Sequence, residues 1–260
     1  MWIYNKSLRS FLILSIIGLI MLPSGAVESG NPTLYHAYRG LEEFGVEDAW
    51  NMGYTGKGVK VAVMDSGVDF ATPDLIGTQA RVSNASSPYY GWPIVIDLDS
   101  LSLYNQQSRG NPFVQSRYAN TTSTDTTGFQ TTGTSKSGIY HIGDHPDGHL
   151  AQFYGKPVKV LLVDEKSPGV YDTVYVDLNN NCDFKDDKPC RKGDEISYWD
   201  RDNDGYPDES GGMVFFVADG KTPLPFSKML YGENAKIPKN GELVAFHYDD
   251  GSHGTMCAGM

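Results

Sequence analysis

The sequence predicts an α/β chain with a β-rich insertion, and three observations carry that reading. A valine-rich run from Lys60 to Met64 follows the turn residues Thr55-Gly-Lys-Gly58 and closes on Asp65-Ser-Gly67, the pattern of a short buried strand ending in a turn. Ahead of it, Leu41 to Met52 reads as a helix. From Ile139 to Asp249, short runs of β-branched and aromatic residues alternate with turn residues, as in a small β subdomain.

Between these parts, residues from about Ser83 to Gly138 are rich in Ser, Thr, Asn, Tyr and Gly and lack apolar periodicity, which predicts surface loop or irregular β structure. Asn84-Ala-Ser86 and Asn120-Thr-Thr122 are glycosylation sequons within that stretch. Further on, Val158 to Val163, Thr173 to Val176 and Met213 to Val217 are expected strands, and Leu243 to His247 leads toward His253.

Two motifs carry the chemistry. Val61-Ala-Val-Met-Asp65-Ser-Gly-Val-Asp69 is followed by Thr72-Pro-Asp-Leu75, and 187 residues separate Asp65 from His253-Gly-Thr-Met-Cys-Ala-Gly259. With the entry segment Ala49-Trp-Asn-Met-Gly-Tyr-Thr-Gly-Lys-Gly58, these motifs resemble the subtilisin-like serine proteases, in which Asp, His and Ser occur in that chain order. The resemblance implies part of the subtilisin-type three-layer fold with its parallel sheet. It assigns Asp65 the task of fixing the imidazole tautomer and His253 that of general base toward a serine hydroxyl. Long insertions between the Asp and His motifs resemble the pyrolysin-like and tripeptidyl-peptidase-like branches. The expected organisation is a signal peptide over 1–26, the start of the catalytic domain over 27–77, the insertion over 78–242 and the catalytic domain resumed over 243–260.

Residues 1–26 have the character of a secretory signal, with Lys6 and Arg9 ahead of the apolar run Phe11–Leu22 and small residues at Ser24-Gly-Ala26. The apolar run is short of the ~20 residues of a membrane span, so an exported protein is expected, with membrane contact only through this segment or an unseen downstream anchor. Without Lys6 and Arg9 the chain holds 19 basic against 32 acidic residues. That balance excludes nucleic acid as a partner and fits bound divalent cations. Only Val27 to about Gly40 separates signal from domain, too little for a folding-assisting pro-domain. The chain ends seven residues after His253 with no Gly-Thr-Ser-Met-Ala segment, so a serine nucleophile is expected downstream and the chain alone is expected to be inactive.

Two acidic loops invite calcium. Asp177, Asn179, Asn181 and Asp183 present oxygens at alternate positions with Asp186 and Asp187 nearby, and Asp200, Asp202 and Asp204 do the same before Gly205 and Asp208. Alternating carboxylates can converge on a hard cation at about 2.4 Å. Neither loop is an EF-hand, because Lys188 and Gly211 stand where that motif needs a bidentate Glu. Cys182 and Cys190 flank the first loop, and in an exported protein a disulfide between them is expected, worth roughly 2–3 kcal/mol. Cys257, one turn from His253, reads as a buried packing residue. His141, His145 and His149 are spaced by four, but Gly143, Pro146 and Gly148 argue against the helix that would align them for zinc.

The reading that joins these features is an exported, calcium-dependent serine endopeptidase acting on protein or peptide substrates. The alternatives are a non-catalytic calcium-binding relic and a tripeptidyl-peptidase-like exopeptidase.

Overall fold

Strands β2 (His141–Asp144), β3 (Lys159–Val163) and β4 (Thr173–Val176) form one antiparallel sheet in that order. A second antiparallel sheet runs β1 (Tyr118–Asn120), β7 (Leu243–His247), β6 (Glu209–Val217), β5 (Ile196–Trp199). The computed structural model describes residues 43–106 and 117–259. Among the described residues the α-helices are α1 (Val46–Asn51), α2 (Leu98–Gln106), α3 (Gly148–Tyr154), α4 (Ser227–Tyr231) and α5 (His253–Gly259). The described residues divide into two compact units, residues 63–255 and a smaller one of 43–62 with 256–259.

Why the strands read as continuous apolar runs is evident from their burial. Alternation along β3 and β4 sends Val160, Leu162, Val174 and Val176 to one face, where they meet Val214, Val244 and Phe246 of the other sheet. Leu161, Val163 and Tyr175 point the opposite way, onto Ile142 and Phe184. The second sheet is likewise covered on both faces, since Met213, Phe215, Leu243 and Ala245 pack with Leu101 of α2 and with Leu224. A strand covered on both sides has no polar face to advertise. Each fully buried Val, Leu or Phe side chain contributes about 1.5–3 kcal/mol, so this sheet-on-sheet core dominates the stability of the larger unit.

The expected strands are found with small changes: β4 and β7 have the expected bounds, β3 begins at Lys159, and β6 extends back to Glu209. Its pairing with β7 slips between Val214 and Phe216, a bulge that lets Phe215 and Phe216 enter the same cluster. The Ser83–Gly138 stretch is mostly irregular, as its composition predicts, but it also contains α2 and β1. Asp97 starts α2 by accepting from the backbone N–H and the hydroxyl of Ser100, and β1 is three residues held by pairing Tyr118 with Ala245. Neither has a local pattern strong enough to predict it.

Three expectations are corrected. Lys60–Met64 is not a strand, and Val61, Val63 and Met64 are exposed. An extended segment becomes a strand only when a neighbour takes its backbone hydrogen bonds, and no described strand pairs with it. The α/β class holds, but parallel pairing of the kind the resemblance implies is made by no described strand; both described sheets are antiparallel. The predicted Leu41–Met52 helix is shortened to α1, because Gly45 adopts a left-handed conformation (φ 66°) at its start; Leu41 and residues 1–40, with the expected signal, lie outside the described residues. No helix among the described residues is long and apolar enough to cross a membrane.

Candidate active site

The turn after Met64 and the start of α5 meet although they are 188 positions apart. His253 Nδ1 lies 2.9 Å and 2.8 Å from the two carboxylate oxygens of Asp65. The backbone N–H of Ser66 donates to Asp65 Oδ1 at 2.7 Å. That N–H, and then the His253 bond, hold the Asp65 carboxyl below the usual carboxylate range. Asp65 is therefore ionised at neutral pH and positions His253 with its Nδ1 proton directed at the carboxylate. The Asp65 side chain is 22% exposed and the His253 ring 69%, so the pair is open at the surface, not seated at the end of a buried strand as expected.

Both motif glycines are explained by the closeness of this joint. A Cβ on Gly254 would stand 1.9 Å from the carbonyl oxygen of Gly67, and one on Gly67 would stand 2.0 Å from that of Tyr248. Gly67 also has φ 128°, a conformation side chains avoid. Any larger residue at either place would push the Asp turn and the His helix apart.

A second carboxylate, missed in the sequence, fastens the joint. Asp249 Oδ1 accepts from the Ser66 hydroxyl at 2.7 Å and from Gly251 N–H at 2.9 Å. Its Oδ2 accepts from the N–H of Thr255 at 2.8 Å and from the Thr255 hydroxyl. Thr255 Oγ1 in turn accepts from Asp69 N–H at 2.9 Å, and Gly254 N–H donates to Ser66 Oγ at 3.1 Å. Burial opposes ionisation of Asp249, but the Thr255 and Ser66 hydroxyls and the two N–H groups outweigh it and hold its carboxyl down to about 2. The only sequence signal for Asp249 is its place four residues before His253.

Two more residues brace the same turn. The Val68 N–H donates to His247 Nε2 at 3.1 Å, and burial, then the Arg117 charge, lower His247 to about 4, so its imidazole is neutral and able to accept. Arg117 Nη2 donates to the Ser66 carbonyl at 3.1 Å and to Asp250, and its guanidinium lies 4.7 Å from the centre of the Tyr248 ring. Arg117 sits just before β1, and only tertiary pairing brings it here.

The second acidic loop brings together most of its predicted ligands. Carboxylate oxygens of Asp200, Asp202 and Asp208 all lie within 4.8 Å of one another, a spacing that fits one calcium ion. Asp204 is turned to the backbone: its N–H donates to Asp200 and Asp202, and its Oδ1 accepts from Tyr206 N–H. In the first loop, Asp177 is buried and accepts from Asn181 and Cys182 N–H, while Asn179 and Asn181 both donate through Nδ2 to Asp186. Asn181 Oδ1 and Asp183 Oδ1 accept from the N–H groups two residues on. Asp187 is the telling group here. Its Oδ2 is buried with no hydrogen-bond partner, and burial, then the charges of Asp177, Asp186 and Asp183, push it up to about 8. A cation among these carboxylates would relieve both conditions, so the loop fits calcium.

The expected disulfide is not formed; Cys182 and Cys190 are not bridged. Cys190 is part of the core between the sheets, with its thiol raised to about 12 by burial, whereas Cys182 sits in the loop turn at φ 66°. Cys257 is half-buried on α5. The three spaced histidines are also separated. His141 lies on β2 with Nδ1 2.8 Å from the Thr121 carbonyl. His145 is buried, bonded to the Gly211 carbonyl and lowered to about 4 by burial. His149 is exposed beside Asp147.

Comparison with known proteins points to proteases. The chain is 61% identical over 31 residues to the minor extracellular protease Vpr of Bacillus subtilis, 12% of this chain and 4% of that protein. It is 29% identical over 235 residues to pyrolysin of Pyrococcus furiosus, covering 80% of this chain and 15% of pyrolysin. Human neuroendocrine convertase 2 is 38% identical over 58 residues, 21% of this chain and 9% of that protein. These relatives are subtilisin-family proteases, and the chain spans less than a sixth of the length of any of them. No family model and no solved structure matches the chain.

Proposed function

We propose that this chain carries the Asp–His part of a serine endopeptidase, with Asp65 as the orienting carboxylate and His253 as the general base. The observation that carries the reading is the contact of His253 Nδ1 with both oxygens of Asp65, made across 188 positions of sequence. With Nδ1–H held by Asp65, the lone pair of the neutral ring is on Nε2, where it can take the proton of a serine hydroxyl as that oxygen attacks a peptide carbonyl. The same carboxylate stabilises the imidazolium that results, and Nε2–H then protonates the leaving amine. The serine belongs to the remainder of a longer protein, in keeping with the small share of its relatives that this chain spans. Asp249, Ser66 and Thr255 are positioning residues, which fix the turn and the helix against each other.

The substrates are protein or peptide amide bonds, and the enzyme acts outside the cell. Support for export comes from the sequence of residues 1–26 and from similarity to a protease named extracellular. Calcium is the proposed structural cofactor, held by Asp200, Asp202 and Asp208 in one loop and by the carboxylates around Asp187 in the other. Bound there, the ion neutralises clustered negative charge, and these side chains orient it.

The test is labelling of the full-length protein with a fluorophosphonate, which reacts with activated serine hydroxyls. Wild-type protein is expected to be labelled and the His253→Ala variant is not. Folded wild-type protein that resists the reagent overturns the proposal.

A further inference from the structure

We propose that Asn84 and Asn120 are N-glycosylated, a modification of the Ser83–Gly138 stretch that the proteolytic reading does not use. Both residues are exposed, where a bulky hydrophilic group can be carried at the surface. Their side chains share one arrangement. Asn84 Oδ1 accepts from the N–H of Ser86 at 3.1 Å and from its hydroxyl at 2.8 Å. Asn120 Oδ1 accepts from the N–H of Thr122 at 3.1 Å and from its hydroxyl at 2.7 Å. In both, the hydroxyl-bearing residue two positions on engages the amide oxygen, and no described residue takes the amide nitrogen.

Four other asparagines give their amide nitrogen to a partner. Asn179 and Asn181 give their Nδ2 to Asp186, Asn105 gives its own to Leu101 and Ser227, and Asn240 donates to Gly169. Asn84 and Asn120 thus combine exposure, an uncommitted nitrogen and a hydroxyl two residues on. Asn120 and Thr122 also help wall an open groove of about 470 Å³ with Asp125, Phe129 and Asp144. An aromatic edge, carboxylates and amides are the groups that pack against and hydrogen-bond sugars, so the first sugars on Asn120 have a surface to lie on.

The reaction is a glycosyl transfer from a lipid-phosphate-linked oligosaccharide. Asn Nδ2 forms a bond to C1 of the first sugar and gives up one proton. The C1–O bond to phosphate breaks, and the lipid phosphate leaves with the electron pair. The inference rests on the export reading, since the chain must cross the membrane to meet a transferase and donor facing the outer side.

The experiment is peptide mass spectrometry on the protein purified from its source organism, with the cell and culture-medium fractions kept apart. A glycan mass on the peptides of Asn84 and Asn120, with Asn179 and Asn181 bare, is the expected result. Protein in the medium with bare Asn84 and Asn120 overturns this inference and leaves export standing. Protein found only inside the cell and bare overturns both. Ser86→Ala and Thr122→Ala keep the asparagines but remove the hydroxyls; each is expected to abolish the glycan at its own site alone. A glycan that persists on Asn120 in Thr122→Ala would show that the hydroxyl geometry does not select the site, and would overturn the argument.

Discussion

In the sheet-on-sheet core, position is secured by apolar side chains that have no alternative to being buried: Val160, Leu162, Val244 and Phe246 are inaccessible to solvent and interchange easily among hydrophobic residues of similar size. At the joint of residues 65–69 with 249–255, position is secured by named donors and acceptors around one carboxylate, and by two glycines whose backbones nearly touch. The core is broad and tolerant, whereas the joint is small and intolerant of substitution. Stability is therefore expected to depend on the first region and catalytic geometry on the second, and perturbations should separate the two.

The largest separation is expected at Asp65. Asp65→Asn is expected to lower kcat of the full-length enzyme on the order of 10⁴-fold, because an uncharged amide no longer fixes the His253 tautomer or stabilises its imidazolium, with the melting temperature little changed. A loss of less than tenfold would break the comparison on the catalytic side. Phe246→Ala is the opposite case: it should destabilise the larger unit by about 3–5 kcal/mol in denaturant unfolding while leaving the Asp65–His253 contact intact in the folded fraction.

Asp249→Ala sharpens the boundary. Removing the acceptor of Ser66 and Thr255 should loosen the turn against α5 and lower kcat on the order of 10²-fold, since small displacements of catalytic groups have effects of that size. KM should move little, and Asp249→Asn should recover part of the loss by keeping one acceptor oxygen. An equal fall in stability and activity for both variants would make Asp249 a plain folding residue. Chelation probes the insertion: calcium at a hundredfold over its dissociation constant contributes about 2.7 kcal/mol per site. Removing it should lower the melting temperature, and an unchanged melting curve with chelator rules out both loops as calcium sites.

The smallest effect at neutral pH is the histidine linkage. His145 and His247 are neutral in the folded protein, lowered to about 4, while their unfolded values stay near 6.5. Between those values the unfolded chain binds more protons, so stability is full above pH 6.5 and declines as pH falls toward 4. The Asp249 carboxyl, held at about 2 against an ordinary 3.8, adds stability above that ordinary value, and this contribution is lost as pH falls from 3.8 through 2. Unfolding free energies at pH 7 and 4.5 measure the histidine part; equality between them would contradict it.

Much of this molecule was legible before its structure. The runs at β3, β4, β6 and β7 announce themselves because both faces are buried, and the Asp and His motifs carry their own chemistry. The run at Lys60–Met64 (Lys-Val-Ala-Val-Met) is apolar like β3 (Lys-Val-Leu-Leu-Val) and is not a strand, because composition states a preference and only a neighbour can satisfy a ladder of hydrogen bonds. Cys190 was legible as a cysteine beside a loop, but its place between the sheets removes it from Cys182. Arg117, His247 and Asp249 had no pattern at all, since each acts on a turn far away in sequence.

The sequence by itself determined the apolar strands, the turn residues and the identities of Asp65 and His253, because local propensity and burial preference are written residue by residue. Only the tertiary structure decided that those two side chains meet, that Asp249 holds Ser66 to Thr255, and that Gly67 and Gly254 must lack side chains. Distances between residues 188 positions apart depend on how the intervening sheets pack, and no local rule contains them.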